Sequence, residues 1–426
     1  MKSPVRFFVL LALSCLLYNE TAAKAPLNFY PSDHAFIQYM GRIDFSNPKL
    51  PRFWQPGVTI RFRFRGEDAV LLLNDEQLWG SNQNYLELIV DGKAVRLQTT
   101  GKQDSLSVKP YLGAGKVHEV ILCKNTEANI GYLELRGVLC QQLLKPAKLP
   151  VRKIECIGNS ITCGASSDLS GIPCGKGKWQ DQHNAWLSYG AITARRLKAQ
   201  VHLSSVSGIG LMHSCCNLDI IMPKVFDKIS MRNDTIAWDF NRYQPDIVTI
   251  CLGQNDGVQD SAAFCTNYVN FLKRVRGYYP KAKLLLLSSP MADNRLREFL
   301  RSSLRSVINT LQAGGDPPDA CDAALRLCAQ PMELLARRDV KRLLDAFETT
   351  GDWAGRLSLL EHRLELAKGP TSRTDLLREA ADLFEQKKGD PAAALAALAR
   401  ALPLAPEDTA IEQRMLSLAD ATGAHA

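Results

Sequence analysis

The sequence predicts a multi-domain protein in which a β-sandwich, an α/β domain with a parallel sheet and an all-α helical region follow one another. A chain of 426 residues is too long for one ordinary hydrophobic core, which favours two or three domains. Its first part alternates apolar and polar residues, and its middle part alternates strand-like with helical segments. Its last part is rich in Ala, Leu, Arg and Glu. Overall, 46% of the residues are hydrophobic and 23% are charged, as in an ordinary globular protein.

Residues 1–25 have the organisation of a secretory signal peptide. A positively charged start precedes the apolar run 7–17, and small residues follow, with cleavage expected after Ala23 or Ala25. The run is too short to span a bilayer, which takes roughly 20 residues. Cys15 resembles a lipoprotein cysteine, but the apolar run continues beyond it, so a lipid anchor is the less favoured interpretation. We therefore expect a secreted or periplasmic protein, and the sequence predicts no transmembrane segment.

The formal net charge of +8 is modest for this length, and no basic block is interleaved with aromatic residues. A slightly basic, solvated surface accounts for the charge, so we predict no nucleic-acid partner. Of the 12 cysteines, those beyond the signal segment are odd in number and mostly scattered singly, unlike a disulfide framework. Cys215 and Cys216 are adjacent but lack neighbours of the type that bind metals, so the sequence predicts no structural zinc.

The pattern of residues 26–145 predicts a β-sandwich. Asp91 and Gly92 separate two strand-like runs and predict a two-residue hairpin turn of the primed type. Short alternating strands with regular turn signals are typical of a sandwich in which each strand keeps one face in the core. The segments that show this alternation are 58–65, 69–73, 85–90 and 117–123.

Residues 146–313 alternate apolar runs with helical patterns, which predicts a parallel sheet. A linker at residues 141–152, with two prolines, joins this domain to the first. Parallel strands are buried on both faces and therefore appear as continuous apolar runs. Such runs occupy residues 153–158, 201–206, 246–252 and 283–289, and helical patterns occupy residues 185–197, 262–278 and 294–311.

A polar segment follows each of the first three predicted parallel strands. Ser160 follows the first strand in Gly-Asn-Ser, Gly208 the second in Ser-Gly-Ile-Gly, and Asn255 the third in Gly-Gln-Asn-Asp. A serine ester hydrolase needs a nucleophilic hydroxyl and donors for the oxyanion, and such sites lie at the carboxyl ends of parallel strands. Ser160 can supply the hydroxyl. The backbone N–H groups of Ser160 and Gly208 and the side-chain amide of Asn255 can supply the donors, with Gly210 as the alternative to Gly208. A lone Gly-Asn-Ser is more often a plain turn, and the other two segments favour a site.

These three segments resemble the blocks of the SGNH (GDSL-type) hydrolases, with Asn159 where Asp is commoner. The first domain resembles the N-terminal jelly-roll domain of family-two carbohydrate esterases, chiefly at Lys-Asn-Thr-Glu-Ala (124–128) and Gly-Tyr-Leu-Glu-Leu-Arg-Gly (131–137). The resemblance covers residues 28–312, approximately. It implies a serine esterase that removes O-acetyl groups from polysaccharides such as xylan or mannan. The reaction would pass through an acetyl-Ser160 intermediate, with no metal or organic cofactor.

The family resembled here has a fourth block, a histidine that usually follows an acid by three residues and deprotonates the serine. None of the 7 histidines has Asp or Glu three residues before it. His213, just after the Gly208 segment, and His183, in the loop before a predicted helix, are the two candidates for a substitute base. The hydrolase domain is therefore predicted to lack its C-terminal His block, and with it much of the activation of the nucleophile.

Residues 314–426 are predicted to be helical throughout. A Gly-Asp pair recurs in them at an offset of about 38 residues, which is typical of a helical repeat, and its second copy begins at Gly389. This second unit resembles a tetratricopeptide repeat, with Ala394 and Pro406 at the motif's spacing and Leu398 in its aromatic position. An unspecialised helical bundle is the alternative. Packing or binding of a protein partner is the expected role, because the region carries no catalytic constellation.

Two hypotheses of function follow. The first is an exported serine esterase acting on acetylated polysaccharide or oligosaccharide, impaired because the motif histidine is absent; a lipase or lysophospholipase is a weaker variant. The second is a non-catalytic carbohydrate-binding or scaffold protein, or a fused chain whose tail binds a partner. Trp179, Trp186 and Trp238 are candidates to stack on sugar rings, although burial is the commoner state of tryptophan. A histidine within hydrogen-bond distance of the Ser160 hydroxyl would favour the first hypothesis.

Overall fold

The fold is that of a computed structural model, which describes residues 26–173, 175–232, 235–315, 353–367 and 369–423. The predicted signal segment and the first Gly-Asp pair of the tail, at residues 351–352, lie outside these ranges. The chain divides into two compact units, Met1–Leu325 and Arg326–Ala426. The first of these units holds both the antiparallel and the parallel sheet.

The first domain consists of nine antiparallel strands hydrogen-bonded into one sheet, whose main path runs β1-β9-β4-β8-β5-β6. Asp91 and Gly92 connect two of these strands, and both have positive φ, 50° and 82°, as the predicted primed turn requires. The antiparallel class agrees with the prediction, whereas the jelly-roll connectivity stays a prediction. The strands are β1 Asn28–Pro31, β2 Gln38–Met40, β3 Arg52–Phe53, β4 Thr59–Asp75, β5 Tyr85–Val90, β6 Lys93–Gln98, β7 Gln103–Ser107, β8 Val117–Lys124 and β9 Leu133–Leu144.

Strand β4 is continuous, although the sequence predicted two strands at residues 58–65 and 69–73. The pairing with β9 shifts in register between Arg65 and Ala69, and Gly66 between them has a φ of +146°. An irregularity of this kind absorbs extra residues without ending the strand. The inward-facing side chains on both sides of it belong to one buried apolar core.

The second domain has a four-stranded parallel sheet in the order β11-β10-β12-β13. Its strands are β10 Arg152–Gly158, β11 Ala199–Ser205, β12 Ile247–Cys251 and β13 Lys283–Leu286. The strand that leads to Ser160 therefore lies between the strands that lead to Gly208 and Asn255. Gly158, the last residue of β10, pairs with the last residues of both β11 and β12. The three polar segments consequently leave the sheet side by side at one edge.

Helices cover this sheet, and their starts are set by capping side chains. Asp260 and Asp293 accept backbone hydrogen bonds at the starts of the two long helices, which lie within two residues of their predicted bounds. The helical pattern predicted at residues 185–197 is divided, because Ser188 caps a helix that begins only after it. The helices are α1 Ser160–Cys163, α2 Tyr189–Arg196, α3 Met222–Val225, α4 Ser261–Tyr278 and α5 Asn294–Ala313.

A buried ion pair joins the two domains of the first unit. Arg42 Nη2 donates to Glu155 Oε1 at 2.7 Å, and neither side chain is more than 1% exposed. Glu155 lies on β10 and also accepts from Ser204 Oγ at 2.6 Å and from the Tyr279 hydroxyl. Arg42 Nη1 donates to the carbonyl of Lys228 at 2.9 Å. Loss of one member would leave a buried charge unpaired, so this pair fixes the first domain against the parallel sheet.

The second unit is helical over its described part, in agreement with the predicted class. Its helices are α6 Trp353–Leu366, α7 Pro370–Gln386, α8 Pro391–Ala401 and α9 Thr409–Thr422. Leucine and alanine side chains form most of its core, and Asp390 and Asp408 cap α8 and α9. The likeness to tetratricopeptide repeats stays a prediction. Across the described ranges of both units, no helix is long and apolar enough to cross a membrane.

Candidate active site

Ser160 begins a one-turn helix directly after the central strand. Asn159 caps that turn by accepting a hydrogen bond from Ile161 N at 3.1 Å. Gly158 permits the tight turn, because a Cβ there would lie 2.1 Å from Thr162 Oγ1. Ser160 is half-buried, and among the described residues neither its hydroxyl nor its backbone N–H has a hydrogen-bond partner. Within the described ranges the fold itself therefore uses neither group as a donor.

The carboxylate of Asp256 holds the loop that follows β11. Its oxygens accept backbone hydrogen bonds from Leu211 at 2.9 Å, Met212 at 2.6 Å and His213 at 3.0 Å. The loop is tightly folded, since a Cβ on Gly210 would lie 1.9 Å from the carbonyl oxygen of His213. The segment after β12 thus fixes the segment after β11.

Gly208 and Asn255 follow the two strands that flank the Ser160 strand. Gly208 has a φ of +82°, and its backbone N–H has no acceptor within the part of the chain that the structure describes. Asn255 Nδ2 donates to the carbonyl of Ile209 at 2.8 Å, which turns the carboxamide toward the loop that carries Gly208. That bond uses one of the two N–H groups of the amide, so the other can serve a second acceptor.

A disulfide joins the neighbouring residues Cys215 and Cys216 in the same loop. Gly208 accepts a hydrogen bond from Cys215 N at 2.8 Å, and a Cβ on Gly208 would lie 3.2 Å from Cys215 Sγ. The sequence predicted no disulfide framework, because its cysteines are odd in number and mostly scattered singly, and this bond between neighbours was not predicted. Five further cysteines in the described ranges are free thiols: Cys123, Cys140, Cys163, Cys251 and Cys265. In the same ranges, no three His, Cys, Asp or Glu side chains are grouped so as to hold a metal.

The two candidate bases differ in environment. His213 is exposed. His183 is buried, with its ring centroid 4.2 Å from that of Trp179 and its Nδ1 atom 3.6 Å from Glu127 Oε1. Burial, reinforced by the Arg96 guanidinium, lowers the pKa of His183 to about 4. Neither ring nitrogen of His183 has a hydrogen-bond partner among the described residues.

Glu127 of the first domain reaches into the second domain at this edge of the sheet. Its carboxylate accepts from the backbone N–H of Ser207 at 2.6 Å and from Ser207 Oγ at 2.5 Å. The side chain is 1% exposed, and burial raises its pKa. The sequence contained Glu127 within a segment that resembles family-two esterases, but no periodicity indicates that it contacts a residue 80 positions away.

The three tryptophans singled out from the sequence differ in exposure. Trp179 is 54% exposed, whereas Trp238 is 5% exposed and belongs to an apolar cluster. Trp186 is half-buried, and the guanidinium carbon of Arg195 lies 3.9 Å from its ring centroid. Trp79 of the first domain, which sequence reasoning did not select, is 84% exposed. Of the three candidates, Trp179 is thus the one that presents most of its ring to solvent.

An antiparallel-sheet domain followed by a parallel sheet with these strand-end segments defines an SGNH-type hydrolase that carries an N-terminal β domain. Comparison with known families agrees: the family described as Carbohydrate esterase 2 N-terminal matches residues 39–150. The GDSL-like Lipase/Acylhydrolase family matches residues 156–361. The chain belongs to carbohydrate esterase family 2.

Three relatives illustrate the match. A family-two carbohydrate esterase from Clostridium thermocellum, solved in complex with cellohexaose, is 30% identical with a TM-score of 0.60, over 66% of this chain and 86% of that one. Cellulase/esterase CelE of Acetivibrio thermocellus is 32% identical over 297 residues, which are 67% of this chain but only 35% of that protein. An acetylxylan esterase/glucomannan deacetylase of Cellvibrio japonicus is 28% identical over 62% of this chain and 75% of its own length.

Proposed function

We propose that this chain is an exported serine esterase that removes O-acetyl groups from a polysaccharide of the xylan or mannan type. One observation carries the proposal: three adjacent parallel strands end at the same level of the sheet. The segments that contain Ser160, Gly208 and Asn255 therefore leave the sheet at one edge. Two relatives support this substrate class. One is named a cellulase/esterase, and the other is named an acetylxylan esterase/glucomannan deacetylase.

In the proposed reaction, Ser160 Oγ attacks the carbonyl carbon of the acetyl group. Negative charge then develops on the carbonyl oxygen, and the unpaired N–H of Gly208 and the second N–H of the Asn255 amide stabilise it. Collapse of this intermediate expels the sugar oxygen, which takes up a proton, and leaves acetyl-Ser160. Water hydrolyses that ester and releases acetate.

The proton of Ser160 requires an acceptor, and the proposal assigns this role to His213 or, failing that, His183. His213 is the favoured base because it is exposed. The ring of His183 is buried, and its pKa of about 4 makes it a weak base near neutral pH. If neither histidine serves, turnover falls toward the residual rate that the oxyanion donors and binding alone provide, about 10³ to 10⁴ over water.

Acetate release from acetylated xylan and from a small aryl acetate tests the proposal. The purified chain is compared with Ser160→Ala and with Ser302→Ala, which removes an exposed hydroxyl on α5 and serves as the matched control. We expect Ser160→Ala to abolish turnover and Ser302→Ala to retain it. His213→Ala and His183→Ala then identify the base. Equal rates for the chain and Ser160→Ala would refute the esterase.

A second candidate function is non-catalytic carbohydrate binding. It is favoured by one observation: within the described ranges, no imidazole hydrogen-bonds the Ser160 hydroxyl. Calorimetric titration of the parent chain with cello- and xylo-oligosaccharides, together with the two ester assays, separates the two candidates. A binding protein binds these oligosaccharides but turns over neither ester even with Ser160 present, and Trp179→Ala weakens the binding.

The proposal assigns the helical tail to a protein partner. A tetratricopeptide-like surface is expected there, consistent with the helical pairs between Trp353 and Thr422. Affinity capture with the full chain and with a chain that ends at residue 315, followed by mass spectrometry, tests this role. A partner retained equally by both chains would exclude the tail. Export is proposed from residues 1–25, and secretion of the full chain, but not of one lacking them, is the expected result.

A further inference from the structure

A group of buried polar side chains lies where the first domain meets the carboxyl edge of the parallel sheet. Glu127 and Lys124 are each 1% exposed, and His183 beside them is also 1% exposed. Burying ionisable side chains is unfavourable unless their hydrogen bonds are satisfied. The hydrogen bonds of Glu127 show which parts of the second domain this buried group holds.

One side of the Glu127 carboxylate holds the loop of the proposed oxyanion donor. Both of its oxygens bind Ser207: Oε2 accepts from the backbone N–H at 2.6 Å and Oε1 from the hydroxyl at 2.5 Å. Ser207 directly precedes Gly208. The carboxylate therefore fixes both the peptide and the side chain of the residue next to the donor.

The same carboxylate contacts the helix of the proposed nucleophile. Cys163 Sγ lies 3.7 Å from Glu127 Oε2 and 3.3 Å from Ser205 Oγ at the end of β11. Cys163 is three residues after Ser160 in α1, so both side chains lie on one face of the turn. Glu127 is thus in contact with the loop of Gly208 and with the helix of Ser160, the two segments whose relative position matters for the proposed reaction.

Lys124 holds the segment that carries Glu127. Its Nζ atom donates to the carbonyl of Thr126 at 2.6 Å and to that of Glu127 at 3.2 Å. Burial lowers the pKa of Lys124 to about 7, and the nearby carboxylates oppose this change. On the other side, Arg232 donates to the carbonyl of Ala128 at 3.3 Å. The backbone that presents the carboxylate is therefore restrained from both directions.

We propose that Glu127 is a positioning residue, supplied by the first domain, which sets the oxyanion loop at Gly208 against the helix that begins at Ser160. This inference rests on the proposed function for its catalytic consequence. Without the carboxylate, the N–H and hydroxyl of Ser207 lose their acceptors and the loop shifts. A misplacement of about 1 Å in such a site costs about 100-fold in rate.

The test compares three variants of the full chain with the parent: Glu127→Ala, Glu127→Gln and the control Glu119→Gln. Glu119 is also a carboxylate of the first domain in an ion pair, with Arg61 Nε 3.0 Å from its Oε1, but it has no hydrogen bond to Ser207, to Cys163 or to the segment that carries Glu127. We expect Glu127→Ala to lower kcat on an aryl acetate by about 100-fold with KM within about twofold. Glu127→Gln should lower kcat by about 10-fold or less, because its amide oxygen still accepts from the Ser207 N–H. Glu119→Gln should match the parent.

Hydrogen exchange of the peptide covering residues 203–212, followed by mass spectrometry, is the second readout. Faster exchange there in Glu127→Ala, but not in Glu119→Gln, is expected. A parent kcat together with parent exchange in Glu127→Ala would overturn the inference. If the parent itself releases no acetate, the proposed function fails, and the exchange comparison alone decides whether Glu127 positions the loop. If Glu127→Ala does not fold, Glu127→Gln and Ser207→Ala are compared in the same way.

Discussion

Protonation of His183 should unfold the first unit more readily in acid. The ring is 1% exposed, and burial together with the Arg96 cation lowers its pKa from 6.5 to about 4, while Asp181 opposes this change. Below pH 6.5, His183 is therefore protonated in the unfolded chain, whereas in the folded chain it stays neutral until the pH falls to near 4. This contribution to stability is present above pH 6.5 and is lost as the pH falls toward 4.

The size of the effect follows from the two pKa values. Their difference, at about 1.4 kcal/mol per pH unit, corresponds to roughly 3 kcal/mol, of which roughly 2 to 3 kcal/mol should be lost between pH 7.5 and 4.5. His202 is also buried with a lowered pKa and adds a slope of the same sign. The informative quantity is therefore the difference in slope between the parent and His183→Gln.

Urea unfolding followed by tryptophan fluorescence measures this difference. Trp353 is the one tryptophan of the sequence that lies in the tail, so the signal reports mainly on the first unit. The free energy of unfolding of His183→Gln should depend less steeply on pH than that of the parent. Parallel curves for the two proteins would refute the reasoning, whatever their absolute stabilities, since they would mean that His183 titrates normally in the folded state.

Three further predictions concern stability and the proposed site. Gly210→Ala should destabilise the fold by about 1 to 3 kcal/mol, because the added Cβ would lie 1.9 Å from a loop carbonyl oxygen. Urea unfolding measures this loss, and unchanged stability would show that the loop can move to accept the methyl group at no cost. Arg42→Met should cost about 3 to 5 kcal/mol in the same assay by leaving Glu155 buried and unpaired. The control Arg61→Met breaks a partly exposed ion pair and should cost less than about 1 kcal/mol, so equal losses would contradict the argument. Asn255→Ala should lower kcat on an aryl acetate by about 10² to 10³ at similar KM, and an unchanged kcat would remove Asn255 from the oxyanion donors.

Local patterns identified most of the regular structure of the first unit. Residues 85–90 were predicted as a strand and form β5 with the same bounds. The turn at Asp91 has the expected positive φ, because few residue pairs fit a primed turn. The side-by-side placement of Ser160 and Asn255 was also predictable, since the carboxyl ends of neighbouring parallel strands share one edge.

Long-range contacts were not predictable from these patterns. Periodicity reports which face of an element is buried but not which distant side chain covers it, so the contact between Glu127 and Ser207 left no signal in the sequence. Over its described residues, the connection between β11 and β12 is mostly irregular apart from α3. In that connection Asp256 binds successive backbone N–H groups, which satisfies them without helix formation.

The ion pair between Arg42 and Glu155 restricts how the gene can be divided or recombined. A shortened chain that begins at the linker would leave an anion without its counter-charge on the strand that leads to Ser160. A hybrid that combines this parallel sheet with the β domain of another protein would need a cation at the position of Arg42. Hybrids that exchange the two domains together avoid this penalty. The smallest portable module of this protein therefore extends across both domains of the first unit.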